Sequence, residues 1–108
     1  MNFKIDLVFG QKCEVYTDAD KIVDKYNVDI SKFENIDGRA LHIEKNGFVR
    51  FVIYLGVDTY KTIAHEASHI SDYVSEHFNI NNKEFRAYLV GHIVDQIIYK
   101  LNKKHDKY

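Results

Sequence analysis

The dipeptide Asn46-Gly47 constrains this chain more than any other feature. Both central residues of a type I′ turn need positive φ, and Asn followed by Gly is the pair that tolerates it best. It stands between two runs, Arg39–Lys45 and Phe48–Leu55, and so predicts a hairpin. Counting outward from the turn sets His42 opposite Phe51 and Ala40 opposite Ile53. The second run, Phe48-Val49-Arg50-Phe51-Val52-Ile53-Tyr54-Leu55, is apolar at most positions. A strand of that composition needs at least partial cover on both faces.

The rest of the first half has the same character. Residues 3–9 alternate like a strand, and residues 12–16 follow after Gly10-Gln11, which suits a second hairpin. Thr17 or Asp18 is placed to cap a short helix from Ala19 to Tyr26, whose Ile22, Val23 and Tyr26 recur at helical spacing. Asp37-Gly38 reads as a turn. After Gly56 the pattern becomes helical. Asp58 or Thr59 is a suitable cap for a helix running to about Phe78. Asn79-Ile80-Asn81-Asn82 forms a polar connection to a second helix from about Lys83 to Lys103, and no proline interrupts either one. The expected fold is α+β, with a small antiparallel sheet of three to four strands packed on two long helices. One domain accounts for residues 1–108, sheet-rich over residues 1–56, helical over residues 57–103 and ending in a polar tail, 104–108.

Composition narrows the functional classes. A chain of 108 residues can close one core without disulfides, and Cys13, its single cysteine, could form none within the chain. That cysteine usage points to a reducing setting and leaves histidine and carboxylate as the metal ligands on offer. A net charge of −1 provides no field drawing the whole chain to nucleic acid or to an anionic membrane. Lys100, Lys103, Lys104 and Lys107 read as a solvated basic end. The amino terminus lacks the apolar run of a secretion signal, and no segment has the length of a membrane span. A soluble, cytoplasmic protein is expected.

Residues 63–71 read Ile-Ala-His-Glu-Ala-Ser-His-Ile-Ser, which contains the spacing HExxH. On a helix, His65 and His69 lie four residues apart and project from one face, so both imidazoles can turn toward a single zinc ion. Glu66 is rotated by about 100° from His65, beside the metal without ligating it, where it can accept a proton from water that the metal activates. Ile63, Ala67, Ile70, Val74 and Phe78 form an apolar stripe that leaves the histidine face free. A third stripe, Ala64, Ser68, Ser71 and Ser75, is made of small residues that would let another helix approach closely.

Two histidines need at least one more protein ligand. Glu84 opens the second helix and begins the stripe Glu84, Ala87, Gly91, Val94, Ile98 and Leu101, which is expected to face the first helix. Against that role, Asn81-Asn82-Lys83-Glu84 also reads as a capping box with Asn81 as N-cap. Asp72 and His92 are the other candidate ligands. Asp72, one turn beyond His69, is better placed to orient an imidazole. Tyr73, Tyr88 and His92 are candidates for donating a hydrogen bond to a developing oxyanion. His42, His77 and His105 read as strand, helix-end and tail residues without a role.

The HExxH followed by Glu84, Ala87, Tyr88 and Gly91 on a second helix resembles the gluzincin branch of the zinc metallopeptidases. It resembles in particular the very small zincin-like proteins carried by bacteriophages and prophages, and more loosely the minimal gluzincins and the repressor-cleaving metallopeptidases of mobile elements. The resemblance covers about residues 59–101. It implies His65, His69 and Glu84 as zinc ligands, Glu66 as general base, and a peptide or protein substrate. It also implies that Phe48–Leu55, with Phe51, Val52 and Ile53, is the sheet edge along which an extended peptide lies. This sequence has Tyr88 where larger gluzincins carry an aspartate or other acceptor one turn after the glutamate, and it has no second subdomain to wall a cleft. The competing expectation is a zinc-stabilised interaction module without turnover, such as a phage accessory protein.

Overall fold

In the computed structural model, residues 1–105 are described; residues 106–108 of the expected tail, Lys107 among them, lie outside the described residues. The strands are β1 (Asn2–Asp6), β2 (Lys12–Tyr16), β3 (Gly38–Lys45) and β4 (Phe48–Leu55). The helices are α1 (Ala19–Tyr26), α2 (Tyr60–His77) and α3 (Lys83–His105), and a 3₁₀ turn covers Ile30–Phe33. The fold is α+β. Asn46 and Gly47 adopt φ of 54° and 80°, and the β3–β4 register carries His42 opposite Phe51 and Ala40 opposite Ile53, as the turn predicts. Helix α1 begins after Asp18, whose side chain accepts from the Asp20 amide. Thr59 caps α2 by accepting from the Thr62 amide.

The sheet is mixed rather than wholly antiparallel. Its strand order is β1-β2-β4-β3. β1 and β2 form an antiparallel hairpin as expected, but its first strand ends at Asp6 and residues 7–11, with Phe9 and Gly10 at positive φ, make the loop. β2 runs parallel to β4, with Cys13 beside Phe51 and Tyr16 beside Tyr54. α1 and the 3₁₀ turn carry the chain across one face, so that the second hairpin can join the first in parallel. This inserts β4 between β2 and β3 and makes it an interior strand. Phe51, Val52 and Ile53 are accordingly buried, and the expectation that they form a free edge is corrected: the edge strands are β1 and β3.

Both faces of β4 are covered. On one, Ile5, Cys13, Val15, Phe51, Ile53 and Leu55 pack against Ile63, Ala67, Ile70 and Val74 of α2 and against α3. On the other, Tyr16, Val52, Ile22 and Phe33 form a smaller cluster beneath α1. Each large aliphatic side chain so buried contributes about 1.5–3 kcal/mol of transfer free energy. Among the described residues no helix is long and apolar enough to cross a membrane.

Helix α3 turns a different face to the core than its sequence suggests. Leu89, Ile93, Ile97 and Leu101, four residues apart, are buried, whereas Glu84, Ala87 and Gly91 are exposed. The expected meeting of two small-residue stripes is therefore replaced. Ser71 and Ser75 of α2 are buried, and Ser71 Oγ donates to the Arg86 carbonyl at 2.9 Å; Ala64 and Ser68 remain outside the core. The helix is capped by Asn82, not Asn81: the Asn82 side chain accepts from the Phe85 amide at 3.1 Å. Gly38 likewise is no turn residue. It begins β3, where a Cβ would lie 2.8 Å from Thr62 Cγ2 and 3.1 Å from Glu66 Cγ.

Candidate metal centre

Helix α2 lies over the β3 side of the sheet, with α3 on its other flank. Its inward stripe anchors it, and the rotation that buries Ile63, Ala67, Ile70 and Val74 leaves His65 and His69 exposed beside β3. Their Nε2 atoms approach to 3.3 Å. Two nitrogens held at about 2.0–2.1 Å on a tetrahedral zinc stand about 3.3–3.4 Å apart, so the pair has the bite that a zinc ion requires. Glu66 sits deeper, at 5% exposure, and the ligand atoms of His65, Glu66 and His69 all lie within 4.8 Å of one another. Burial pushes the Glu66 carboxyl above its usual range, against the opposing pull of His65, His69, the Ala40 amide and Arg39.

An open groove runs past these residues. One end is a cavity of about 280 Å³ bounded by Ile36, Asp37, Gly38, Lys61 and Thr62 with His65 and Glu66. The adjoining end, about 230 Å³, is bounded by Arg39, Ala40, His69 and Tyr73 with the same His65 and Glu66. β3 forms one wall, and as the last strand of the sheet it has no strand partner on its outer side among the described residues.

Tyr73, one turn beyond His69, stacks with the His69 ring at a centroid distance of 6.4 Å and meets the His42 ring at 4.5 Å. His42 and Tyr73 thus extend the line of His65 and His69. In the sequence, His42 reads as a residue without a role, and Tyr73 as one of three candidate donors to an oxyanion. The signals were present: Tyr73 continues the four-residue spacing of the histidines, and the hairpin register puts Ala40 and His42 on one face of β3.

The other expected site residues lie elsewhere. Glu84 is exposed at the start of α3 and is not a member of the cluster. The reason is the position of α3, which packs on the Ser71 flank of α2 while the histidines occupy the β3 flank. Asp72 accepts from Arg86 at 2.7 Å instead of orienting an imidazole. Tyr88 and His92 stack on each other along α3 at 5.7 Å and line neither end of the groove.

Comparison with protein-family models finds no match for this chain, and comparisons with curated proteins and with solved structures find none either.

Proposed function

We propose that this chain is a zinc-dependent metallopeptidase of small size, acting in the cytoplasm on extended peptide segments. The observation that carries this reading is the 3.3 Å approach of the His65 and His69 Nε2 atoms beside the buried Glu66 carboxylate. A bound zinc ion supplies acidity to water and polarises a carbonyl. His65 and His69 would supply two of its ligands, and among the described residues Glu66 is the one further metal-binding side chain clustered with them. Glu66 accepts the proton of the attacking water and returns it to the leaving amine. The peptide lies along β3, whose unpaired backbone groups hydrogen-bond to an extended strand. Tyr73, which lines the groove beside His69, is placed to donate a hydrogen bond to the reacting carbonyl. The likeness of the HExxH string to phage-borne zincin-like proteins supports the same reading.

A second reading is favoured by one observation: Glu66 is within 4.8 Å of both histidine nitrogens. As a third ligand it would complete a His-His-Glu set and would no longer act as a base, leaving a zinc-dependent binding module. Glu66→Gln separates the two. In the peptidase it retains zinc to wild-type content and lowers cleavage of a peptide library by about 10²–10⁴-fold. Loss of zinc from Glu66→Gln moves the carboxylate into the ligand set. Absence of cleavage by the zinc-loaded wild type across the library ends the peptidase reading.

A further inference from the structure

The face of the sheet opposite α2 and α3 is only half covered. α1 and the 3₁₀ turn pack over Tyr16, Val52, Leu41 and Ile43. Toward the two hairpin tips the same face is open, and there three cations converge. Lys4 pairs with Glu14 across β1–β2. One step before the Cys13–Phe51 pair, the parallel register brings Lys12 beside Arg50. Residues two apart on a strand share a face, and neighbouring strands are about 4.8 Å apart, so Lys4, Lys12 and Arg50 stand on one surface. Lys12 and Arg50 are like charges on adjacent strands and repel, while Lys4 and Lys12 each face a carboxylate, Glu14 and Asp6, across β1–β2.

Neutralisation is partial. Lys12 pairs with the exposed Asp6. Glu14 does not balance Lys4 or Arg50, because its oxygens already accept from Tyr16, from Tyr26 at 2.6 Å and from Lys25 at 3.0 Å. Among the described residues, Lys4 and Arg50 take part in no salt bridge. Arg50 is steadied instead by its guanidinium resting over the Phe48 ring at 5.5 Å. Beside these side chains lies a cavity of about 260 Å³, lined also by Glu14, Val49, Gly10 and Gln11.

We infer that this cavity is a binding site for a phosphoryl group, separate from the metal centre on the other face of the sheet. Arg50 supplies a planar fork suited to two oxygens, and Lys4 and Lys12 supply mobile point charges. The cavity is smaller than an ordinary cofactor pocket, which suits a compact anionic head rather than a nucleotide-sized ligand. That head can belong to a soluble phosphate monoester or to an anionic lipid.

The test is titration calorimetry of the whole chain with inorganic phosphate and with glycerol phosphate, at an ionic strength held constant with sodium chloride. Saturable binding is expected, weakened about tenfold by Arg50→Gln or Lys4→Gln and unchanged by His65→Ala. Both substituted positions are exposed, and circular dichroism verifies that the variants fold. A parallel arm measures sedimentation with phosphatidylcholine vesicles carrying phosphatidic acid. Arg50-dependent retention on vesicles with weak binding of the soluble anions assigns the site to a lipid headgroup; the reverse assigns it to a soluble ligand. Heats reproduced by sodium chloride alone, or equal binding by Arg50→Gln in both arms, overturn the inference.

Discussion

Gly38→Ala is the sharpest test of how the fold builds the groove. The added Cβ would lie 2.8 Å from Thr62 Cγ2, 3.0 Å from the Tyr54 carbonyl oxygen and 3.1 Å from Glu66 Cγ. These neighbours belong to two elements, α2 and β4, so moving β3 away from one pushes it toward the other. The Tyr54 oxygen is backbone of an interior strand and cannot yield without disturbing the sheet. Overpacking of this kind costs about 1–3 kcal/mol. Alanine recovers about 0.4–1 kcal/mol by restricting the unfolded chain, since the φ of Gly38 does not require glycine. The net loss centres on about 1.3 kcal/mol, and for a domain of this size the thermal midpoint should fall by about 5–10 °C. Thermal unfolding followed by circular dichroism measures it. Adding Thr62→Ser, which removes the nearest methyl, should restore some of the loss. A midpoint equal to wild type in Gly38→Ala would show that β3 is not held against α2 as described.

Glu84→Ala should keep full metal content, while His65→Ala and His69→Ala should each lose it; mass spectrometry of the metallated chain reads all three. Chelation should shift the midpoint only by the mass-action contribution of the ion, because the core beneath α2 closes without the exposed histidines; collapse of the fold on chelation would favour a structural zinc. Glu14 governs acid sensitivity. Burial pushes its carboxyl up, but hydrogen bonds from Tyr16, Tyr26 and Lys25, together with the Lys25 charge, hold it below the usual range. Its contribution is therefore complete above the unfolded-state value of about 4.3 and is lost as the pH falls through the lower folded value. Urea unfolding from pH 7 down to 3 should show a shallower decline for Glu14→Gln than for wild type, from a starting stability about 1–3 kcal/mol lower. Equal slopes would sever that link.

Much of this was legible in the residues wherever a local rule applied. Asn46-Gly47 determined a turn and, through it, the pairing of eight residues on each side of the hairpin. Asp18 and Thr59 announced helix starts by having a short oxygen-bearing side chain ahead of an amphipathic run. The HExxH spacing needed only a helix to bring two nitrogens and a carboxylate together, and α2 supplied it. What failed did so for want of a local signal. The periodicity of α3 allowed two overlapping apolar stripes, one through Ala87 and Gly91 and one through Leu89 and Ile93. Only the surface it packs against selects between them, and the choice turned Glu84 outward.

The sequence by itself, then, determined most of the elements, the register of the β3–β4 hairpin and the histidine pair with its glutamate, because each depends on dihedral preferences and spacings within a few residues. Tertiary structure alone decided the parallel joining of β2 to β4, which pairs residues nearly forty positions apart and leaves no mark in either strand. That single pairing buried Phe51, Val52 and Ile53, made β3 the edge strand, and put the histidines beside it rather than beside α3. The identity of the groove's second wall is thus a property of how two hairpins pack, a long-range balance of burial that no short stretch of this chain encodes.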